Sequence, residues 1–206
     1  ALLIFLEIED LGVGSKNINK KNRTVREIAK HSLSSEKKSQ LIFRLANFLN
    51  SKNIIEMGTS LGLNTLYLSQ VNNNAKVFTI EGGKSLFDFA KNISERKGIN
   101  NIEFINGNFD TEFEKLLKKI DTPDLIYFDG NHSYEATINY FKMALRYKNE
   151  NTVFIFDDIY WSEEMTRAWQ EIIAKKEVIL SIDCFDLGLV FFRNEFKEKS
   201  HLKIYV

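Results

Sequence analysis

Residues Glu56-Met57-Gly58-Thr59-Ser60-Leu61-Gly62 carry the clearest chemical signal in the chain. They follow the apolar pair Ile54-Ile55 and lead into Leu63, Leu66, Tyr67 and Leu68, the pattern of a strand, a glycine-bearing turn and a helix. Gly58 permits a tight exit from the strand, and Gly62 lets backbone approach a ligand at the helix N-terminus. E-x-G-x-x-x-G is a weak signal by itself. It is strengthened by Glu81, which ends the next apolar run, Val77-Phe78-Thr79-Ile80. A carboxylate there can accept hydrogen bonds from both ribose hydroxyls of a nucleoside. Thr59, Ser60 and Gly82 belong to the same two turns. Asn108-Phe109, after the following strand, offers an amide for a base edge and an aromatic ring to lie against it. Two of these residues have bland alternatives: Glu56 could satisfy turn amides, and Phe109 could belong to the core.

A second set is acidic. Asp129 ends a fourth apolar run and the pair Asp157-Asp158 ends a fifth. If those strands are neighbours, their ends lie roughly 5 Å apart. Carboxylates that close either share protons or bind a cation, and an oxygen-only ligand set favours Mg²⁺, with Mn²⁺ or Ca²⁺ as alternatives. An ion there could lower the pKa of an acceptor hydroxyl and orient it. The competing reading makes Asp129, Asp157 and Asp158 caps of the helices that follow. His132, three residues after Asp129, is placed to take a hydroxyl proton, or is a polar loop residue. Tyr134, Tyr160 and Trp161 could wall an acceptor pocket, whereas Trp169 lies on a helical stripe and is expected to pack.

Elements must bring these groups together. Strands are expected at 53–57, 76–81, 102–106, 124–129 and 152–157, alternating with helices near 62–71, 84–97, 110–119, 133–147 and 161–175. Near-continuous apolar strands between amphipathic helices mean a parallel sheet covered on both faces. In such a sheet the working groups gather at the C-terminal strand ends, beside the reversal of strand order. Runs at 178–185 and 187–193 read as an antiparallel hairpin, and 201–206 as a candidate further strand. Ahead of the sheet, 11–23 reads as a polar loop, with helices near 24–32 and 35–50, the second capped by Ser34 or Ser35.

Composition narrows the function classes. At 206 residues the chain suits one α/β domain. Lys plus Arg and Asp plus Glu are 28 each, so no net field recruits nucleic acid or an anionic membrane. The single cysteine, Cys184, excludes an intrachain disulfide and is expected to be a buried small hydrophobe; a cytoplasmic protein is the default. The apolar opening Ala1–Leu6 is too short to span a bilayer. A first residue other than Met raises the expectation of a longer natural chain.

On these residues the chain resembles class I S-adenosylmethionine-dependent methyltransferases over roughly 35–193. Glu56-x-Gly58-x-x-x-Gly62 matches their first motif and Glu81 their ribose-binding acid. Gly107-Asn108-Phe109 falls where Gly-Asp often stands beside adenine, and Asn108 departs from that acid. Phe128-Asp129-Gly130-Asn131-His132-Ser133-Tyr134 with Phe156-Asp157-Asp158 is similar to the small-molecule O-methyltransferases that modify cephalosporins and macrolides, and to the catechol type.

The resemblance implies a doubly wound, mainly parallel, Rossmann-like α/β sheet of seven strands with an antiparallel C-terminal hairpin. It divides the chain into an N-terminal segment, 1–34, and a methyltransferase domain, 35–206. S-adenosylmethionine would be held by Glu56, Gly58, Thr59, Ser60, Gly62, Glu81, Gly82, Asn108, Phe109 and Asp129. Mg²⁺ would be held by Asp129, Asp157 and Asp158, with His132 and Asp129 catalytic. The implied reaction is metal-assisted O-methylation of a small hydroxylated molecule, and a homo-oligomer is compatible with it. The rivals are metal-independent transfer to another acceptor, a noncatalytic cofactor-binding protein and an NAD(P)-dependent oxidoreductase. The last is disfavoured by the missing G-x-G-x-x-G spacing.

Overall fold

The alternating apolar runs assemble into a single eight-stranded sheet flanked by helices in a computed structural model that describes residues 4–7, 22–32, 35–195 and 197–205. Two short strands, β1 (Phe5–Glu7) and β2 (Asn22–Thr24), pair antiparallel in a separate ribbon. Asn22 and Arg23, expected in a loop, are therefore extended; residues 11–21 of that expected loop lie outside the described residues. Helix α1 (Val25–Ser32) opens with a reciprocal cap: the Thr24 amide donates to Glu27 Oε2 at 2.8 Å and the Glu27 amide to Thr24 Oγ1 at 3.2 Å. Helix α2 (Glu36–Phe48) is capped by Ser35, whose hydroxyl accepts from the Lys38 amide at 3.2 Å.

The main unit then runs β3 (Asn53–Met57), α3 (Leu63–Leu68), β4 (Lys76–Glu81), α4 (Lys84–Arg96), β5 (Ile102–Asn106), α5 (Phe109–Ile120), β6 (Leu125–Phe128), α6 (Tyr134–Ala144), β7 (Val153–Asp157), α7 (Glu163–Ala174), β8 (Leu180–Asp183), β9 (Leu187–Phe191) and β10 (Ser200–Lys203). Strand order is β10-β8-β9-β7-β6-β3-β4-β5. The chain builds outward from β3 through β4 to β5, then returns to lay β6 and β7 on the other side, so strand order reverses between β3 and β6. Those two pair parallel, Met57 opposite Phe128, and β6 pairs parallel with β7, Phe128 opposite Phe156. The tips carrying Glu56, Asp129 and Asp157 are thus brought to one edge.

Strand β9 is antiparallel to both β7 and β8, as expected of the hairpin. The expected seven strands become eight because Ser200–Lys203 adds to the edge in parallel with β8. Side-chain alternation along each strand divides the core. Ile55, Met57, Ile126, Phe128, Phe154 and Phe156 pack with α5, α6 and α7; Ile54, Leu125, Tyr127, Val153 and Ile155 pack with α2 and α3. Cys184 is half-buried against the second group rather than fully enclosed. Among the described residues no helix is long and apolar enough to cross a membrane.

Trp169 packs, as its stripe predicts. It is 2% exposed, and a Cβ on Gly188 would meet its ring at 2.6 Å. Gly188→Ala should therefore overpack the β9–α7 contact and cost about 1–3 kcal/mol in urea denaturation. An unchanged midpoint would mean that the indole can move aside freely.

Candidate active site

The turn after β3 is built by close backbone approach. Gly58 has φ +102°, and a Cβ there would lie 2.0 Å from the Asp129 carbonyl oxygen. Only a glycine lets the end of β3 cross so near the end of β6. The Asp129 amide donates to Met57 O at 2.9 Å and the Gly58 amide to Ile80 O at 3.0 Å, so the turn is fastened to both neighbouring strands. Gly62, φ +79°, begins α3 against Ala90 of α4.

Glu81 lies where the sequence puts it. Its carboxylate accepts from the Ser60 amide at 2.9 Å and the Gly83 amide at 2.8 Å, joining the two turns. Burial raises its pKa, and the amides of Gly83, Ser60, Thr59 and Gly82 work against that rise. Thr59 Oγ1 is 2.6 Å from Thr79 Oγ1, which holds the turn from below.

Glu56 corrects an expectation. It does not face the cleft: it is fully buried and accepts from Asn64 Nδ2 at 2.9 Å, Thr65 Oγ1 at 2.5 Å and Thr79 Oγ1 at 2.7 Å. The carboxylate is the pin that ties α3 to β3 and β4. Asn108 is likewise committed locally. Its side-chain carbonyl caps α5, accepting from the Asp110 amide at 2.8 Å, so the oxygen expected to meet an adenine amino group already has a donor. Phe109 is partly buried, edge-to-face with Tyr140 at 6.3 Å, and lies over Gly130, where a Cβ would meet its ring at 2.5 Å.

The acidic tips do converge, around two residues that sequence reasoning missed. Lys38 of α2 places Nζ 2.6 Å from Asp157 Oδ1 and 3.7 Å from Asp158 Oδ1. The hydroxyl of Tyr127, in β6, donates to Asp157 Oδ2 at 2.7 Å and lies 3.1 Å from Asp129 Oδ2. One phenolic proton cannot serve both carboxylates, so the arrangement is completed when Asp129 is protonated and donates to the phenol oxygen. Consistent with that, the pKa of Asp129 is raised well above its usual value by burial, by the charge and hydrogen bond of Asp157 and by the charge of Asp158, opposed by Lys38. Asp158 is raised by burial and Asp157, and is held at φ +54°. Burial alone would lower the pKa of Lys38, but the charge and hydrogen bond of Asp157 raise it.

His132 stands at the rim of this cluster, with Nε2 3.7 Å from Asp129 Oδ1 and 3.9 Å from Asp158 Oδ2. Its ring is 5.9 Å from that of Trp161, which is 37% exposed. Tyr134 and Tyr160 turn elsewhere, to Glu171 of α7 and to Asp183 of β8. Among the described residues no group of three or more His, Cys, Asp or Glu side chains is arranged as a metal site. The helix caps given as the alternative for these acids are Ser133 for α6 and Ser162 for α7.

The family model described as a methyltransferase domain matches residues 55–159. That is just over half of the chain, and the chain belongs to this family: by family and fold it is a class I S-adenosylmethionine-dependent methyltransferase. No curated protein matches it. Among solved structures it is similar to the O-methyltransferase TomG of Streptomyces achromogenes, involved in tomaymycin synthesis and bound to SAM, at TM-score 0.70 and 18% identity over 82% of this chain and 86% of that one. It is similar to an SAH complex of an O-methyltransferase of Bacillus cereus, at 0.66 and 21% over 77% and 82%. SAH-bound PaMTH1, a methyltransferase of Podospora anserina, aligns at 0.69 and 16% over 79% and 80%.

The buried Glu56 makes the fold pH-sensitive. Burial pushes its pKa from 4.5 to about 7, against the hydrogen bonds of Thr65, Thr79 and Asn64. Folding therefore takes up a proton between those values. The associated stability is complete below pH 4.5 and is lost as pH rises through 7, on the order of 3 kcal/mol in full. Glu56→Gln, whose amide the threonine hydroxyls can accept from, should flatten this dependence in ligand-free protein. Equal losses of stability between pH 5 and 8 in both proteins would refute the assignment.

Proposed function

We propose that this methyltransferase uses S-adenosylmethionine to methylate a hydroxyl oxygen of a small molecule. The observation that carries the reading is that the two half-sites share a wall: Gly58, in the turn bearing the nucleoside-binding residues, abuts the backbone of Asp129, in the acidic cluster. The chain's residues fit the cofactor. Glu81 keeps lone pairs beyond those taken by Ser60 and Gly83, enough for ribose hydroxyls. Gly58, Thr59, Ser60, Gly62 and Gly82 supply a backbone-lined approach, with Phe109 beyond them. Glu56 supports that turn from beneath, and Asn108 acts through the start of α5. When bound, S-adenosylmethionine supplies a methyl group on a sulfonium.

On the acceptor side, His132 receives the hydroxyl proton as it is displaced by the incoming methyl. The charge of Asp158 stabilises the imidazolium so formed, Asp129 borders the same nitrogen, and Trp161 shields one flank from water. Proximity and alignment carry most of the acceleration, since in such an in-line displacement the new oxygen–methyl bond would form as the sulfur–methyl bond breaks, a neutral thioether would leave, and the positive charge would pass from sulfur to His132. That TomG and the Bacillus cereus protein are O-methyltransferases supports oxygen as the atom methylated. The balance of 28 basic and 28 acidic residues supports a small acceptor over nucleic acid.

Mg²⁺, expected at Asp129, Asp157 and Asp158, does not fit the arrangement of these side chains. The donor set is right for a hard dication. Its central carboxylate, however, is more heavily engaged than Glu81: Oδ1 of Asp157 accepts from both Lys38 and the Asp158 amide, and Oδ2 accepts from Tyr127.

Glu81→Ala should weaken cofactor binding by about 1–3 kcal/mol in calorimetry, the scale for losing hydrogen bonds to a charged group. Unchanged affinity in a folded variant would remove the ribose assignment. His132→Ala should lower kcat on a panel of catechols, phenols and sugar hydroxyls while cofactor affinity stays constant. Equal losses in both would assign His132 a structural role.

A further inference from the structure

We propose that the ammonium of Lys38 stands permanently in the position that a divalent cation would take, so that this methyltransferase positions its acceptor site without a metal ion. The inference rests on the reading that the acidic tips of β6 and β7 line the acceptor side.

Three observations carry it. The first is the fixed place of the lysine. It belongs to the first turn of α2, on the face that four and eight residues later buries Ile42 and Ala46 against the sheet. Docking of that face delivers Nζ to Asp157, and the side chains are only 12% and 4% exposed. The second is that this location is unfavourable for a lysine considered alone. A cation in the first turn opposes the helix dipole, and a buried one loses hydration. The carboxylates of Asp157 and Asp158 are what offset both costs.

The third is exclusion. Mg²⁺ bonds to oxygen at about 2.0–2.1 Å. Both acceptor positions of Asp157 Oδ1 are occupied, by the ammonium at 2.6 Å and by the Asp158 amide at 2.9 Å, the other oxygen accepts from Tyr127, and the ammonium charge would repel a dication brought to the same carboxylate. Lys38 is thus a positioning residue. It fixes Asp157 and Asp158 directly. Through Asp157 and Tyr127 it also fixes Asp129, beside His132.

Titration of the wild-type protein with Mn²⁺, followed by calorimetry and by the loss of free-ion electron paramagnetic resonance signal, tests this without any acceptor. No saturable uptake is expected. Lys38→Met, which keeps the apolar stem and removes the charge, should acquire uptake of one Mn²⁺ per chain. Where an acceptor is found, methyl transfer should proceed unchanged in EDTA. In metal-free buffer Lys38→Met should lower kcat roughly tenfold or more with cofactor affinity retained. Saturable Mn²⁺ uptake by the wild type, or EDTA-sensitive activity restored by Mn²⁺, would overturn the proposal. So would a folded Lys38→Met that takes up no ion. If Lys38→Met does not fold, the wild-type titration decides alone. Failure to methylate any hydroxyl would count against the acceptor assignment only, because ion uptake is read independently.

Discussion

Three carboxylates at the tips of two adjacent parallel strands must be neutralised, and the way this chain does so organises the site. Asp129, Asp157 and Asp158 would repel one another strongly if all were ionised in a partly dehydrated cleft. A single ammonium, from a helix that precedes the sheet in sequence, bridges two of them. A buried phenol links the third to the first. Each contact uses a specific lone pair, so the carboxylates are oriented as well as compensated. His132 inherits that orientation because its two acidic neighbours are themselves held.

A second buried acid does a different job. Glu56 ends its interactions inside the fold, where three donors from α3 and β4 converge on it. The short helix α3 has only six residues and little intrinsic stability, so this polar pin is what fixes its start relative to the strands. Gly58 and Ser60 then leave the sheet at a defined angle, and the amide of Ser60 reaches Glu81. One carboxylate pins a helix to two strands and the other joins two turns, although both lie at strand ends near glycines.

The contrast explains how far the sequence could be read. The parallel core was legible because its strands are apolar runs and its helices amphipathic. The place of Glu81 at the sheet edge was legible because it closes an otherwise apolar strand. Convergence of Asp129 with Asp157 and Asp158 followed from strand adjacency alone. Glu56 was open to two readings, and the deciding clue lay in Asn64 and Thr65, polar residues at buried helical positions whose hydrogen bonds must go somewhere. Asn108 offered an amide whose first obligation proved to be the helix it begins. Lys38 lies in a cluster of charges, Glu36-Lys37-Lys38, that gives no local sign of burial. Its signal was phase, since it precedes Ile42 by four residues on the buried face. Tyr127 was hidden in an apolar strand, where only a hydroxyl pointing at the acidic edge distinguishes it from packing. Both act across sequence separations that no local pattern reports, 119 residues for Lys38 to Asp157.

Lys38 lies outside the stretch that the family model matches, 55–159, while all three acids lie inside it. A fragment trimmed to that matched stretch would keep all three carboxylates and discard the ammonium that bridges two of them. The electrostatic boundary of the domain is therefore set upstream of its matched boundary, in the first turn of α2, and the helix outside the matched stretch is the one that supplies the cation of the acidic cluster.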